Sequence, residues 1–92
     1  MHLEIVSPEA TLFSGEVDSV TVPGTTGSFQ MLNNHAPIVS TLKEGTVTIS
    51  GKMDLDKTVE NKFKKQDANT TLFEISSGTV EMRNNKLILL AD

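Results

Sequence analysis

Apolar residues recur at every second position in short runs along this chain: Leu3 and Ile5, Val20 and Val22, Phe29 and Met31, Val47 and Ile49, Phe73 and Ile75, Val80 and Met82, Leu87 and Leu89. Side chains on a strand point alternately to its two faces, so each pair predicts a strand with one buried face. The runs follow one another closely, which predicts an all-β fold, a small antiparallel β-sandwich or flattened barrel. Turn-forming residues separate the runs at Ser14-Gly15, Pro23-Gly24 through Gly27, Glu44-Gly45, Ser77-Gly78 and Asn84-Asn85. Asn84-Asn85 predicts a two-residue hairpin, because asparagine tolerates positive φ better than most residues. Val17 falls out of phase with Val20 and Val22, which predicts a bulge or bend.

The alternation lapses between Gly51 and Asn69. This stretch is polar, with Lys57, Lys62, Lys64 and Lys65 among its charged residues. Leu55, Val59 and Phe63 stand at i, i+4 and i+8, the spacing of a short helix with a narrow apolar stripe. An extended hairpin fits the same residues, and the composition is that of a solvated loop. The expectation is a long polar insertion at 51–69 with room for one short helix.

Composition supports strands over helices: Val, Ile and Thr supply 24 of 92 residues and Ala only 4. Branched side chains lose rotamer freedom in a helix but pack well on a pleated sheet. A chain of this length fits one domain, residues 1–92, around one core. There is no cysteine, hence no disulfide framework and no thiolate ligand or nucleophile. The longest apolar run, Leu87 to Ala91, is too short to cross a bilayer, and Met-His-Leu-Glu does not open like a signal peptide.

Charge and candidate chemistry narrow the function further. The formal net charge is −4, and no Lys or Arg precedes Lys43. With no Trp or Tyr and no basic cluster in its first half, the chain lacks the features of a nucleic-acid binder. His2 and His35 are too few and too far apart to predict a metal site. No positioned nucleophile, phosphate-cradling glycine loop or complete calcium loop occurs, and Asp54 with Asp56 is only the first fragment of the last. Asn69-Thr70-Thr71 matches a glycosylation acceptor, but reads as a polar loop in a chain without a secretory signal. The chain is therefore not expected to be an enzyme or to hold a cofactor.

One stretch stands apart, Pro23-Gly24-Thr25-Thr26-Gly27-Ser28-Phe29-Gln30-Met31-Leu32-Asn33-Asn34-His35-Ala36-Pro37. It sets a glycine-rich turn, an alternating strand and a second polar turn in succession, and Pro37 holds Ala36 in extended geometry. The expectation is two loops close together at one rim, where a rigid sandwich presents variable residues to partners. His35 fits equally a contact role and a role supporting its own turn.

At these residues the chain resembles the ε subunit of F-type ATP synthases, in its N-terminal β-sandwich domain. The matching pieces are Leu3 to Glu9, Leu12 to Val17, the stretch Pro23 to Pro37, Leu42 to Ile49, and Ser76 to Met82 with Leu90-Ala91-Asp92. Each is a turn with its flanking strand, and it is their order that is specific. The resemblance implies a noncatalytic rotor subunit at the foot of the central stalk, packed on the γ subunit and resting on the polar loops of the c-ring. By matching position, Thr26, Gly27, Ser28 and His35 are expected to face the ring, and Ser7, Ser40 and Thr41 to lie on or near the γ side. It also implies a peripheral place on the cytoplasmic face of the membrane, without insertion, in a proton- or sodium-driven complex.

The chain departs from the family pattern in several places. Ser28 stands where an acidic residue is common, Gln30 where a glycine is common, and Asn33-Asn34 where Pro-Gly or Pro-Asn is common. The 51–69 segment exceeds the usual hairpin. Members commonly continue past Leu-Ala-Asp into two helices that brake hydrolysis or bind nucleotide; none follows Asp92 here, so the expectation is coupling without that brake and without nucleotide binding. Two alternatives are a generic β-sandwich adaptor in another assembly and a small hydrolase built on His35, for which no nucleophile or pocket is evident.

Overall fold

Each alternating run buries one face and must lay it against another, and the chain does this by curling one sheet over on itself. The computed structural model describes residues 1–92. Its strands are β1 (His2–Val6), β2 (Thr11–Glu16), β3 (Ser19–Gly24), β4 (Gly27–Leu32), β5 (Ile38–Leu42), β6 (Gly45–Ser50), β7 (Phe63–Asp67), β8 (Thr70–Ile75), β9 (Gly78–Arg83) and β10 (Lys86–Ala91). One layer runs β2-β1-β10-β9-β5 and the other β4-β3-β6-β8-β7. The layers join where Gly24 of β3 pairs with Leu42 of β5. Neighbours are antiparallel except β1 and β10, which run parallel.

The predicted inward pairs meet in one cluster of 22 buried residues. Leu3, Ile5, Val20, Val22, Met31, Val47, Ile49, Leu87 and Leu89 are fully enclosed, and Phe29 packs against them from a partly exposed position. The Asn84-Asn85 turn forms as expected: φ is 52° and 60° at the two residues, and Lys86 pairs with Arg83 across it. Positive φ at both central residues is the geometry whose twist matches the flanking strands.

Ser14-Gly15 is not a turn, contrary to the sequence expectation; it lies inside β2. The pairing of β1 with β2 slips between Ile5 and Val6, leaving Leu12 as an extra residue, so Leu12 and Phe13 are both buried. Gly15 makes room for the Phe13 ring beside this bulge: a Cβ there would stand 2.9 Å from Cζ of Phe13, and the ring would have to shift. The out-of-phase Val17 marks the corner at which the chain passes from one layer to the other. Its N–H donates to the Met1 carbonyl at 2.9 Å, and its side chain is buried.

The 51–69 segment departs from the picture of a solvated loop, and its apolar stripe does not form an α-helix. Helical geometry is limited to one 3₁₀ turn, Glu60–Lys62. The chain then extends as β7, which pairs with β8 and places Phe63 opposite Phe73 with ring centroids 4.8 Å apart. Met53, Val59 and Phe63 are buried, and Leu55 packs on the cluster. These side chains enter the core because β8 needs a neighbour that covers it, a demand that local periodicity does not register. The exposed Lys64 and Lys65 then lie on an edge strand, where charge discourages pairing with other chains.

Candidate functional site

The β3–β4 hairpin builds the first candidate surface. Gly24 pairs with Gly27, so Thr25 and Thr26 form the tip. Gly27 has φ of 134°, a region closed to other residues at low cost, and a Cβ on Gly24 would stand 2.7 Å from the Gly27 carbonyl oxygen. Thr26, Gly27 and Ser28 are all exposed and uncharged. Thr25 is anchored from the side: its N–H donates to the Thr41 carbonyl at 3.2 Å, and the two threonine Oγ atoms are 3.1 Å apart.

His35 does not share this rim, which corrects the expectation that both turns lie together. Strand β4 runs its whole six residues between them, and at ~3.3 Å per residue that separates its ends by roughly 20 Å. His35 sits instead with the β9–β10 hairpin. Its N–H donates to the Leu32 carbonyl at 3.1 Å, its Nδ1 lies 2.7 Å from the Ala36 carbonyl, and the N–H of Asn34 donates to Oδ1 of Asn85 at 2.7 Å. The ring bonded to its own turn fits the supporting role. The length of the alternating run was the signal for this separation, since an uninterrupted strand of six residues carries the chain to the opposite end of the sheet.

The residues matched to the γ side divide as well. Ser7 lies in the β1–β2 turn, where its N–H and Oγ both donate to the Ala10 carbonyl, at 2.9 and 3.2 Å. Ser40 pairs with Val80, a core residue, and so points toward the inner face, its Oγ donating to the Thr41 carbonyl at 3.2 Å. Thr41 points outward with Val39, which is 75% exposed. On the same outer face Leu90, 48% exposed, lies beside Val6, and Ile88 pairs with Glu81 in the adjoining strand. Val39 and Leu90 were missed in the sequence. The signal was present: Leu87 to Ala91 is apolar without interruption, and a strand apolar on both faces has a second face to cover.

Titratable chemistry is sparse. His2 bridges Glu16 Oε2 and Ser14 Oγ, each at 3.2 Å, on the open face of β1 and β2. None of the five main clefts is lined by these three residues, and no group of His, Asp and Glu converges as a metal site would. Asp56 accepts from the Thr58 N–H at 2.9 Å and the Thr58 hydroxyl at 2.8 Å, which hold its carboxyl below the ordinary aspartate value. One cleft of about 410 Å³ lies between Ser7-Pro8, Leu12, Phe73 and Ala91-Asp92, edged by Glu9, Glu74 and Lys62, and a wider one of about 520 Å³ lies beside Met53, Leu55 and Phe63.

Residues 1–60 match the family described as ATP synthase, Delta/Epsilon chain, beta-sandwich domain. The chain is 39% identical over all 92 residues to the ATP synthase epsilon chain of Caulobacter vibrioides, covering 90% of that protein. The chain belongs to the epsilon-chain family of F-type ATP synthases. It is also 38% identical to the epsilon chain of Chlorobaculum tepidum over 86% of that protein, and 37% identical to that of Campylobacter concisus over 60%. Among solved structures, a chain of the central stalk and c-ring of the Tetrahymena thermophila mitochondrial ATP synthase superposes with a TM-score of 0.69 at 14% identity. That match covers 99% of this epsilon-family chain and 62% of the other. At such low identity it supports the sandwich fold alone.

Proposed function

We propose that this epsilon-family chain is a noncatalytic rotor subunit that couples c-ring rotation to the γ subunit at the membrane surface. The carrying observation is the outer face of the layer β2-β1-β10-β9-β5, where Val6, Ile88 and Leu90 adjoin and Val39 stands across Glu81, leaving apolar area open beside Thr41. Apolar side chains grouped on one sheet face suit a permanent protein partner. We assign that face to γ, with Ser7 at its edge, and the Thr26-Gly27-Ser28 turn to the polar loops of the ring. One surface is a side and the other an end of the same sandwich, as a coupler requires.

Ser28 gives this turn no charge, so ring contact rests on hydroxyl and backbone hydrogen bonds. His35, held at the opposite end, is left to support its turn. No helix here is long and apolar enough to cross a membrane, and a peripheral place on the cytoplasmic side fits the proposed role. Mixing the chain with the cognate γ subunit and following size exclusion tests the assignment. A 1:1 complex at low and moderate salt is expected, and its absence at both overturns the proposal.

A further inference from the structure

We infer that the junction between Thr25 and Thr41 sets the position of the ring-facing turn relative to the γ-facing face, making Thr25 a positioning residue; this rests on the function proposed above. The junction is the one place where strands of the two layers pair, through Gly24 and Leu42. Three contacts surround that pair. Lys43 N–H donates to the Pro23 carbonyl at 2.9 Å, Thr25 N–H donates to the Thr41 carbonyl at 3.2 Å, and the Thr25 and Thr41 hydroxyls are 3.1 Å apart.

The site is built tightly from both sides. A Cβ on Gly24 would meet the Gly27 carbonyl at 2.7 Å and the Phe29 ring at 2.9 Å, and a Cβ on Gly45 would meet Pro23 Cβ at 2.9 Å. The turn therefore cannot tilt against β5 without opening these contacts. Thr41 belongs at once to the outer face carrying Val39 and to the anchor of the turn, so a load on one surface reaches the other within two residues of β5. Thr25 touches neither proposed partner in this scheme; it acts through the turn that follows it. The pairing of β3 with β6 ends at Thr21, so the outer part of the hairpin is a two-stranded ribbon, and such ribbons flex unless tied to a third strand.

Three variants of the full chain test this by amide exchange at residues 25 and 43 and by affinity for the cognate c-ring. A neutral hydrogen bond is worth a factor of ~2 to 10. Thr25→Val is expected to speed exchange at both amides, and weaken ring binding, by about that factor. Thr25→Ser restores both readouts, which a merely packed side chain would not. The chain has no native cysteine, and an oxidised Thr25→Cys/Thr41→Cys pair is expected to slow exchange while keeping ring affinity at or above the wild-type value. Wild-type exchange and affinity in Thr25→Val, or an equal loss of affinity in the cross-linked chain, overturns the positioning role alone. A wild-type chain that binds no ring overturns the proposed function and the positioning role with it.

Discussion

The N–H of Asn34 donates to the side-chain carbonyl of Asn85 at 2.7 Å, joining two turns that lie 51 residues apart in the chain. Asn34 and Asn85 both have φ near 60°. Each residue thus bends its own turn, and the bond between them ties the end of β4 to the β9–β10 hairpin, closing the end of the sandwich opposite the Thr26 turn.

Asn85→Ala is expected to destabilise the fold by about 1 to 2 kcal/mol, since it loses both the acceptor and a residue suited to positive φ. Asn85→Gly keeps the backbone geometry and loses the acceptor only, so its cost is the smaller. Urea unfolding of the two variants measures this, and an Ala variant as stable as the wild type contradicts it.

Val39→Lys separates binding from folding. The new ammonium faces solvent and stands opposite Glu81 across the β5–β9 pair, so stability changes by no more than about 0.5 kcal/mol. Affinity for γ is expected to fall at least tenfold, on the order of 1.4 kcal/mol, because the contact loses the most exposed apolar side chain of this face and gains a charge to desolvate. Retained γ binding, measured by calorimetry, removes this face from the interface.

Phe63→Ala tests whether the 51–69 segment belongs to the core. Phe63 is buried and stacked on Phe73, so its truncation is expected to cost about 2 to 4 kcal/mol. A solvated loop predicts almost no change. Denaturant melts distinguish the two.

The Asp56 carboxylate is held below its ordinary value by the Thr58 N–H and hydroxyl. A depressed folded value stabilises the folded state above the unfolded aspartate value and loses that contribution as pH falls through the folded one. Asp56→Asn is therefore expected to remove a small stabilisation that is present at neutral pH and fades as pH falls below about 4, so that variant and wild type converge in acid; the effect is small because the group is fully exposed. Carboxyl chemical shifts against pH provide the check: a midpoint at or above the unfolded value excludes the Asx-type bond as the cause.

The alternation of Leu3/Ile5, Val47/Ile49 or Leu87/Leu89 was readable because the period of a strand is local: two adjacent peptide units suffice to point alternate side chains one way. The Asn84-Asn85 turn was readable for the same reason, since its φ preference lies within the residues themselves. Gly15 misled because a glycine that admits a neighbour's ring looks the same in sequence as one that makes a turn. Leu55, Val59 and Phe63 misled because helical spacing is also available to a chain that reaches the core from a loop, a 3₁₀ turn and a strand in turn.

By itself the sequence determined seven of the ten strands, their inward faces, the sharpest hairpin and the family, all of which follow from near neighbours or from ordered motifs. Only the tertiary structure decided that the Thr26 turn and His35 stand at opposite ends, that Thr41 faces outward while Ser40 does not, and that Thr25 is bonded to Thr41. Those facts depend on strand pairings between residues far apart in the chain, and such pairings are set by how the whole sheet closes over its core.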